Sequence, residues 1–94
     1  MSKPYRIKKY SFDRAAELGV NIRPSTNPDK KIDVFDNGRK LASIGARGMN
    51  DYPTYLENKG KDFAENRRRL YRIRHKDELN KVGTPGYFAN KILW

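Results

Sequence analysis

The sequence predicts a single α+β domain: a small antiparallel sheet with a central β-hairpin, packed by a long basic helix and short flanking helices. Three observations carry this. Asn37-Gly38 separates two stretches of strand-forming residues, and that pair best tolerates the positive φ angles of a two-residue hairpin turn. Segments with helical spacing lie on both sides of the hairpin. The chain of 94 residues leaves room for one small core, because a domain of this size buries roughly 60–65% of the surface its unfolded form exposes.

The elements follow in order. Residues 1–10 form a basic N-terminal arm containing Lys3, Arg6, Lys8 and Lys9. Ser11 reads as an N-cap and Gly19 as a stop, with Phe12, Ala15 and Ala16 at helical spacing between them. Val20 and Ile22 alternate with polar neighbours as a strand does, and the turn formers from Pro24 to Asp29 make a loop. In the hairpin, a two-residue turn sets Val34 opposite Leu41, so that Ile32, Val34 and Leu41 share one face. Phe35, Ala42 and Ile44 then make the other face less polar than a solvated strand, and packing on both sides is expected.

Gly45, Gly48 and Asn50 break the chain, and Asp51 begins a helical turn with Pro53, Tyr55 and Leu56 that stops near Gly60. The main helix is expected from residue 61 to about 79. Phe63, Leu70 and Ile73 form a narrow apolar stripe on it, and Glu65 and Arg69 a supporting pair. Arg68, Arg72 and Lys76 occupy one face, with Arg67, Tyr71 and Arg74 in a neighbouring row. Thr84 followed by Pro85 looks like the cap and first position of a last short helix. That helix carries Tyr87, Phe88, Ile92, Leu93 and Trp94, which either close the core or dock a partner.

Charge points to function. The chain has 21 Lys+Arg against 11 Asp+Glu, a net +10, and residues 67–76 hold six of those cations and no carboxylate. Like charges this dense repel one another in the free protein, and a bound polyanion turns that cost into affinity. Arg67, Arg68, Arg69, Arg72, Arg74 and Lys76 are therefore the candidate polyanion-binding surface, with Arg6, Lys8 and Lys9 as an auxiliary arm. Arginine favours forked phosphate contacts, and no helix-turn-helix, zinc-finger or RNA-recognition signature is visible, so binding is expected to be backbone-directed and indifferent to sequence.

Catalysis finds little to work with. The chain has one histidine and no cysteine, which excludes disulfides and thiolate metal sites. His75 sits inside the basic helix, where a helix-surface contact is the expected role. Pro28-Asp29, Asp33 and the nearby lysines suggest a metal-dependent nuclease only faintly, since Asp33 and Asp36, three apart on a strand, point to opposite faces. Gly45 and Gly48 match neither phosphate-loop nor dinucleotide spacing. No enzyme activity, metal or cofactor is expected. No apolar run approaches the roughly 20 residues of a membrane span, and the charged start is unlike a signal peptide.

Six segments in order are similar to a family of small basic proteins encoded by large eukaryotic DNA viruses of algae and amoebae. They are Lys9-Tyr10-Ser11-Phe12-Asp13-Arg14-Ala15, Lys31-Ile32-Asp33-Val34-Phe35, Ala42-Ser43-Ile44-Gly45-Ala46, Asp51-Tyr52-Pro53-Thr54-Tyr55, the run from Arg67 through His75, and Gly83-Thr84-Pro85-Gly86-Tyr87-Phe88-Ala89. The resemblance implies a viral setting, in the virion and, during infection, in the host nucleus or a cytoplasmic viral factory. It implies work in genome packaging or virion structure. The partners expected are nucleic acid, DNA first, or the acidic surfaces of capsid proteins.

Overall fold

A computed structural model describes residues 5–94, so Lys3 of the expected arm lies outside the described residues. The order is α1 (Lys9–Leu18), β1 (Asn21–Pro24), β2 (Lys30–Asp36), β3 (Arg39–Ala46), α2 (Tyr52–Lys59), α3 (Lys61–Arg74) and α4 (Pro85–Leu93). The strands form one antiparallel sheet in the order β1-β2-β3. The predicted α+β class holds. No helix among the described residues is long and apolar enough to cross a membrane.

Helix α1 ends as its sequence indicates: Gly19, at φ 73°, donates to the Ala16 carbonyl while Val20 donates to Ala15, a Schellman motif that needs a left-handed residue. Its start differs. The helix begins at Lys9, so Ser11 is not the cap. The hydroxyl of Ser11, fully buried, donates to the Ile92 carbonyl at 2.9 Å and ties α1 to α4.

The hairpin keeps its turn but shifts its register. Asp36 pairs with Arg39 and Phe35 with Lys40 around Asn37 (φ 50°) and Gly38 (φ 80°), and then a bulge places Ala42, not Leu41, opposite Val34. One extra residue changes which later side chains face the core. Ile44 accordingly pairs with Ile32 and both are buried, while Leu41 packs at the edge of the same cluster. The expectation that Ala42 and Ile44 lie on the opposite face is thereby corrected.

Packing is also one-sided rather than two-sided. Ile22, Ile32, Val34, Ala42 and Ile44 of the sheet meet Ala15 of α1 and Phe88, Ile92 and Leu93 of α4 in one cluster. The helices laid on the sheet are thus α1 and α4, whereas the basic helix α3 pairs with α2. The C-terminal residues close the core: Ile92 and Leu93 are at most 1% exposed, and Tyr87 and Trp94 pack partly buried at its margin. Thr84 caps α4 as expected, its hydroxyl accepting from the Tyr87 amide at 3.3 Å.

On the other side of the sheet a polar cluster replaces a second apolar layer. The Asp33 carboxylate accepts from the Ser25 and Ser43 hydroxyls at 2.6 and 2.7 Å and lies 3.3 Å from the Lys40 ammonium. The Arg23 guanidinium covers Phe35 at 4.1 Å. Asp33 is shielded by the side chains that bond it. That burial alone would raise its pKa, but the hydrogen bonds from Ser25, Ser43, the Thr26 amide and Lys40 outweigh it and bring the group down to about 2.

A carboxylate held below its unfolded value of 3.8 contributes stability that is fully present above about pH 4 and is lost as pH falls toward 2, on the order of 2 kcal/mol. Urea midpoints measured across that window should fall more steeply for the wild type than for Asp33→Asn. Equal slopes would contradict the assignment.

Candidate nucleic-acid interface

Helix α3 follows α2 across Gly60 (φ 89°), a conformation that glycine supplies without strain. The helix ends at Arg74 instead of near residue 79, and the segment after it turns back on itself, with the Glu78 amide donating to the His75 carbonyl at 2.8 Å. Asp77 and Glu78 would otherwise place negative charge at the negative end of the helix dipole. Lys76 therefore sits in a turn beyond the helix rather than on its face.

The helix is also rotated relative to its apolar stripe. Phe63 and Ile73 are 43% and 58% exposed, whereas Ala64 is fully buried and Arg67, Arg68, Tyr71 and Arg72 are half-buried. Three arginines do the packing expected of the stripe. Arg68 lies 4.1 Å over the Tyr52 ring and donates to Glu65 at 2.6 Å. Arg67 lies over Tyr55 at 5.5 Å. Arg72 donates to the Asn90 side chain at 3.2 Å and reaches the Trp94 main-chain oxygen at 3.4 Å. Planar guanidinium groups stack on aromatic faces while their aliphatic stems cover apolar surface, so arginine can serve an interior face that leucine usually fills.

The electrostatics follow this division. Burial, and then the neighbouring Arg68, push the Arg72 guanidinium below its ordinary pKa. Burial acts the same way on Arg68, but its hydrogen bond to Glu65 wins and the group is raised. Arg69, Arg74 and Lys76 are exposed.

These cations fall on two flanks. On one, Arg68, Arg69, Arg72 and Lys76 line an open groove with Ile73 and Glu65. On the other, Arg67, Arg74 and His75 border a cavity between α3, α4 and the end of β3. The structure keeps the row of Arg67, Tyr71 and Arg74 apart from Arg68, Arg72 and Lys76, as the spacing indicates, but neither row is a free cationic face.

The described part of the N-terminal arm does not extend this surface. Arg6 is exposed, but Lys8 is paired with Glu57 at 2.9 Å and Lys9 with Asp13 at 2.8 Å. Tyr5 donates to Asp51 at 2.7 Å, and Ile7 packs against the core. The segment from residue 5 to residue 8 is thus a docked strap, and Lys9 already belongs to α1.

The group at the base of the cavity is one that the sequence does not reveal. The Lys31 ammonium and the Asp51 carboxylate meet at 2.9 Å with side chains 5% and 1% exposed. Asp51 also caps α2 by accepting from the Thr54 amide at 3.0 Å. Burial would raise the Asp51 pKa, but Lys31 and the hydrogen bonds from Thr54 and Tyr5 hold it below the usual carboxylate range. The capping role is legible from Asp51 followed by Pro53; the partner twenty residues away leaves no local signal. Asp33, the one carboxylate of the nuclease reading that is buried, is spent on Ser25, Ser43 and Lys40. Among the described residues no three His, Asp or Glu side chains gather as a metal site would require.

A family model described as a family of unknown function (DUF5754) matches residues 20–75, which run from the start of the sheet to the end of α3. No curated protein and no solved structure matches the chain. Helices α1 and α4, which cover the sheet, lie outside the matched segment.

Proposed function

Since the chain belongs to the DUF5754 family, whose description assigns no function, we propose on its own surfaces that it is a non-enzymatic viral protein that binds DNA without sequence preference. The groove along α3 carries this reading: Arg68, Arg69, Arg72 and Lys76 face it with one carboxylate, Glu65, already paired to Arg68. With a net charge of +10, such a groove attracts a phosphate backbone and gains affinity by releasing its counterions. Arg69 and Lys76 meet the phosphates, while Arg68 and Arg72, held by Glu65, Asn90 and Trp94, present fixed positive charge behind them. The viral setting rests on the resemblance of six segments, and packaging or organising a genome in the virion is the role that fits a backbone binder.

Charge reversal belongs at Arg69 and Lys76, because Arg68 and Arg72 also hold the fold. In the double variant Arg69→Glu, Lys76→Glu, affinity for two unrelated duplexes should fall equally. The slope of log affinity against log salt should flatten by about 0.9 for each phosphate that the variant no longer neutralises. Unchanged affinity in electrophoretic mobility shifts would remove the groove from the interface.

One observation favours a second reading, a minor capsid protein that contacts acidic surfaces of the shell. Phe63 and Ile73 stay exposed beside the arginines, and an apolar side chain gains more from a protein partner than from phosphates. On this reading the protein copurifies with the shell after the genome is removed from virions; on the first it leaves with the genome.

A further inference from the structure

The cavity on the other flank of α3 has a volume of about 300 Å³, near the lower limit of small-ligand sites. Its chemistry is divided. Tyr55, Tyr71, Trp94, Leu93, Met49 and Ala89 supply an apolar and largely aromatic lining. The ionic part of the lining is Lys31, Arg67, Arg74 and His75 with Asp51 as its one carboxylate; Asp51 is already committed to Lys31, Tyr5 and the Thr54 amide, and Glu78, which stands behind the lining, lies 3.4 Å from His75. Arg74 is exposed, and its side chain makes no ion pair or hydrogen bond among the described residues. Two arginines thus border an apolar cavity with no free carboxylate to neutralise them.

Glycine lets β3 approach the side chains of the cavity wall closely. Gly45, at φ 78°, lines the cavity, and a Cβ there would fall 2.7 Å from Leu93 Cδ1 and 2.9 Å from Lys31 Cδ. The aromatic wall is fixed by its own contacts: Trp94 stacks on Tyr71 with centroids 4.3 Å apart and an angle of 8°, and Tyr55 lies 6.2 Å from Trp94. Met49, 61% exposed, is an adaptable side chain at the opening.

We infer that this cavity is a site for one nucleoside monophosphate unit, its base against the aromatic wall and its phosphate at Arg67 and Arg74. A bare phosphate gains nothing from the aromatic lining, and an uncharged ring leaves the charge of the two arginines unneutralised. A nucleotide uses both, since bases stack on aromatic side chains without regard to their identity and arginine forks onto phosphate. The unit comes either as a free nucleotide or as an unpaired position of a bound strand. In the second case the inference rests on the nucleic-acid reading of α3.

Trp94 is the single tryptophan of the chain, so its fluorescence reports on the cavity directly. AMP added to the full chain should change that fluorescence saturably, and inorganic phosphate at the same concentration should not. Arg74→Ala should weaken AMP binding about tenfold, the loss expected for one charge-assisted contact, with an unchanged thermal melt. A duplex with a single-stranded overhang that displaces AMP better than its blunt counterpart identifies the strand as the source; equal displacement identifies the free nucleotide. The site is overturned if AMP leaves the fluorescence unchanged, if phosphate alone reproduces its effect, or if Arg74→Ala binds AMP as the wild type does. Should AMP fail while Arg69 and Lys76 still govern duplex affinity, the cavity site falls and the α3 groove stands.

Discussion

Replacing Ile92 with Ala is expected to destabilise the domain by about 2–5 kcal/mol, and removing residues 92–94 to unfold it. Ile92 is fully buried and Leu93 is 1% exposed. Both belong to the cluster that the sheet forms with α1 and α4, so truncation leaves a cavity that a small core cannot collapse to fill. The loss is comparable with the whole stability of a small domain, which starts at about 5 kcal/mol. Trp94 adds a stacked ring on Tyr71 and a main-chain oxygen that accepts from Tyr10 and Arg72. Circular dichroism of the truncated chain checks this, and a cooperative melt at the wild-type temperature would show that the core closes without these residues.

The second large effect is expected at Asp51. Changing it to Ala leaves the Lys31 ammonium buried without its partner, for which about 3–5 kcal/mol is typical, and removes the α2 cap, worth about 1 kcal/mol more. Tyr5 loses its acceptor as well. A double variant separates the two contributions. Asp51→Asn combined with Lys31→Met keeps an acceptor for the Thr54 amide and removes the buried charge, so it should recover most of the stability in urea titrations. A double variant as unstable as Asp51→Ala would mean that the ion pair itself, rather than the stranded lysine, sets the cost.

How far each feature is legible in the sequence depends on the range of the interaction that makes it. Local chemistry is legible: Asn37-Gly38 makes the hairpin turn, Gly19 and Gly60 end helices, and Thr84-Pro85 opens the last one. The bulge at Leu41 is not, because a two-residue turn fixes only the first pairs and the later register answers to the core, which selects Ala42 and Ile44 over Ser43. The rotation of α3 is hidden for a similar reason. Its apolar stripe of Phe63, Leu70 and Ile73 resembles an inward face, but Tyr52, Tyr55 and Trp94, which lie outside α3, offer surfaces on which arginine packs. Half of the six cations in residues 67–76 are therefore structural as well as electrostatic. Of the arm's described candidates, Arg6 is exposed, whereas Lys8 and Lys9 are held in ion pairs.

The central proposal is that the α3 groove meets a phosphate backbone without reading sequence. Fluorescence anisotropy of the wild-type protein against two unrelated DNA duplexes, repeated over a range of salt, tests it most directly. Equal affinities for the two duplexes are expected, with parallel lines of log affinity against log salt, each falling by about 0.9 for every phosphate neutralised. Affinity that differs strongly between the duplexes, or that does not change with salt, would contradict it.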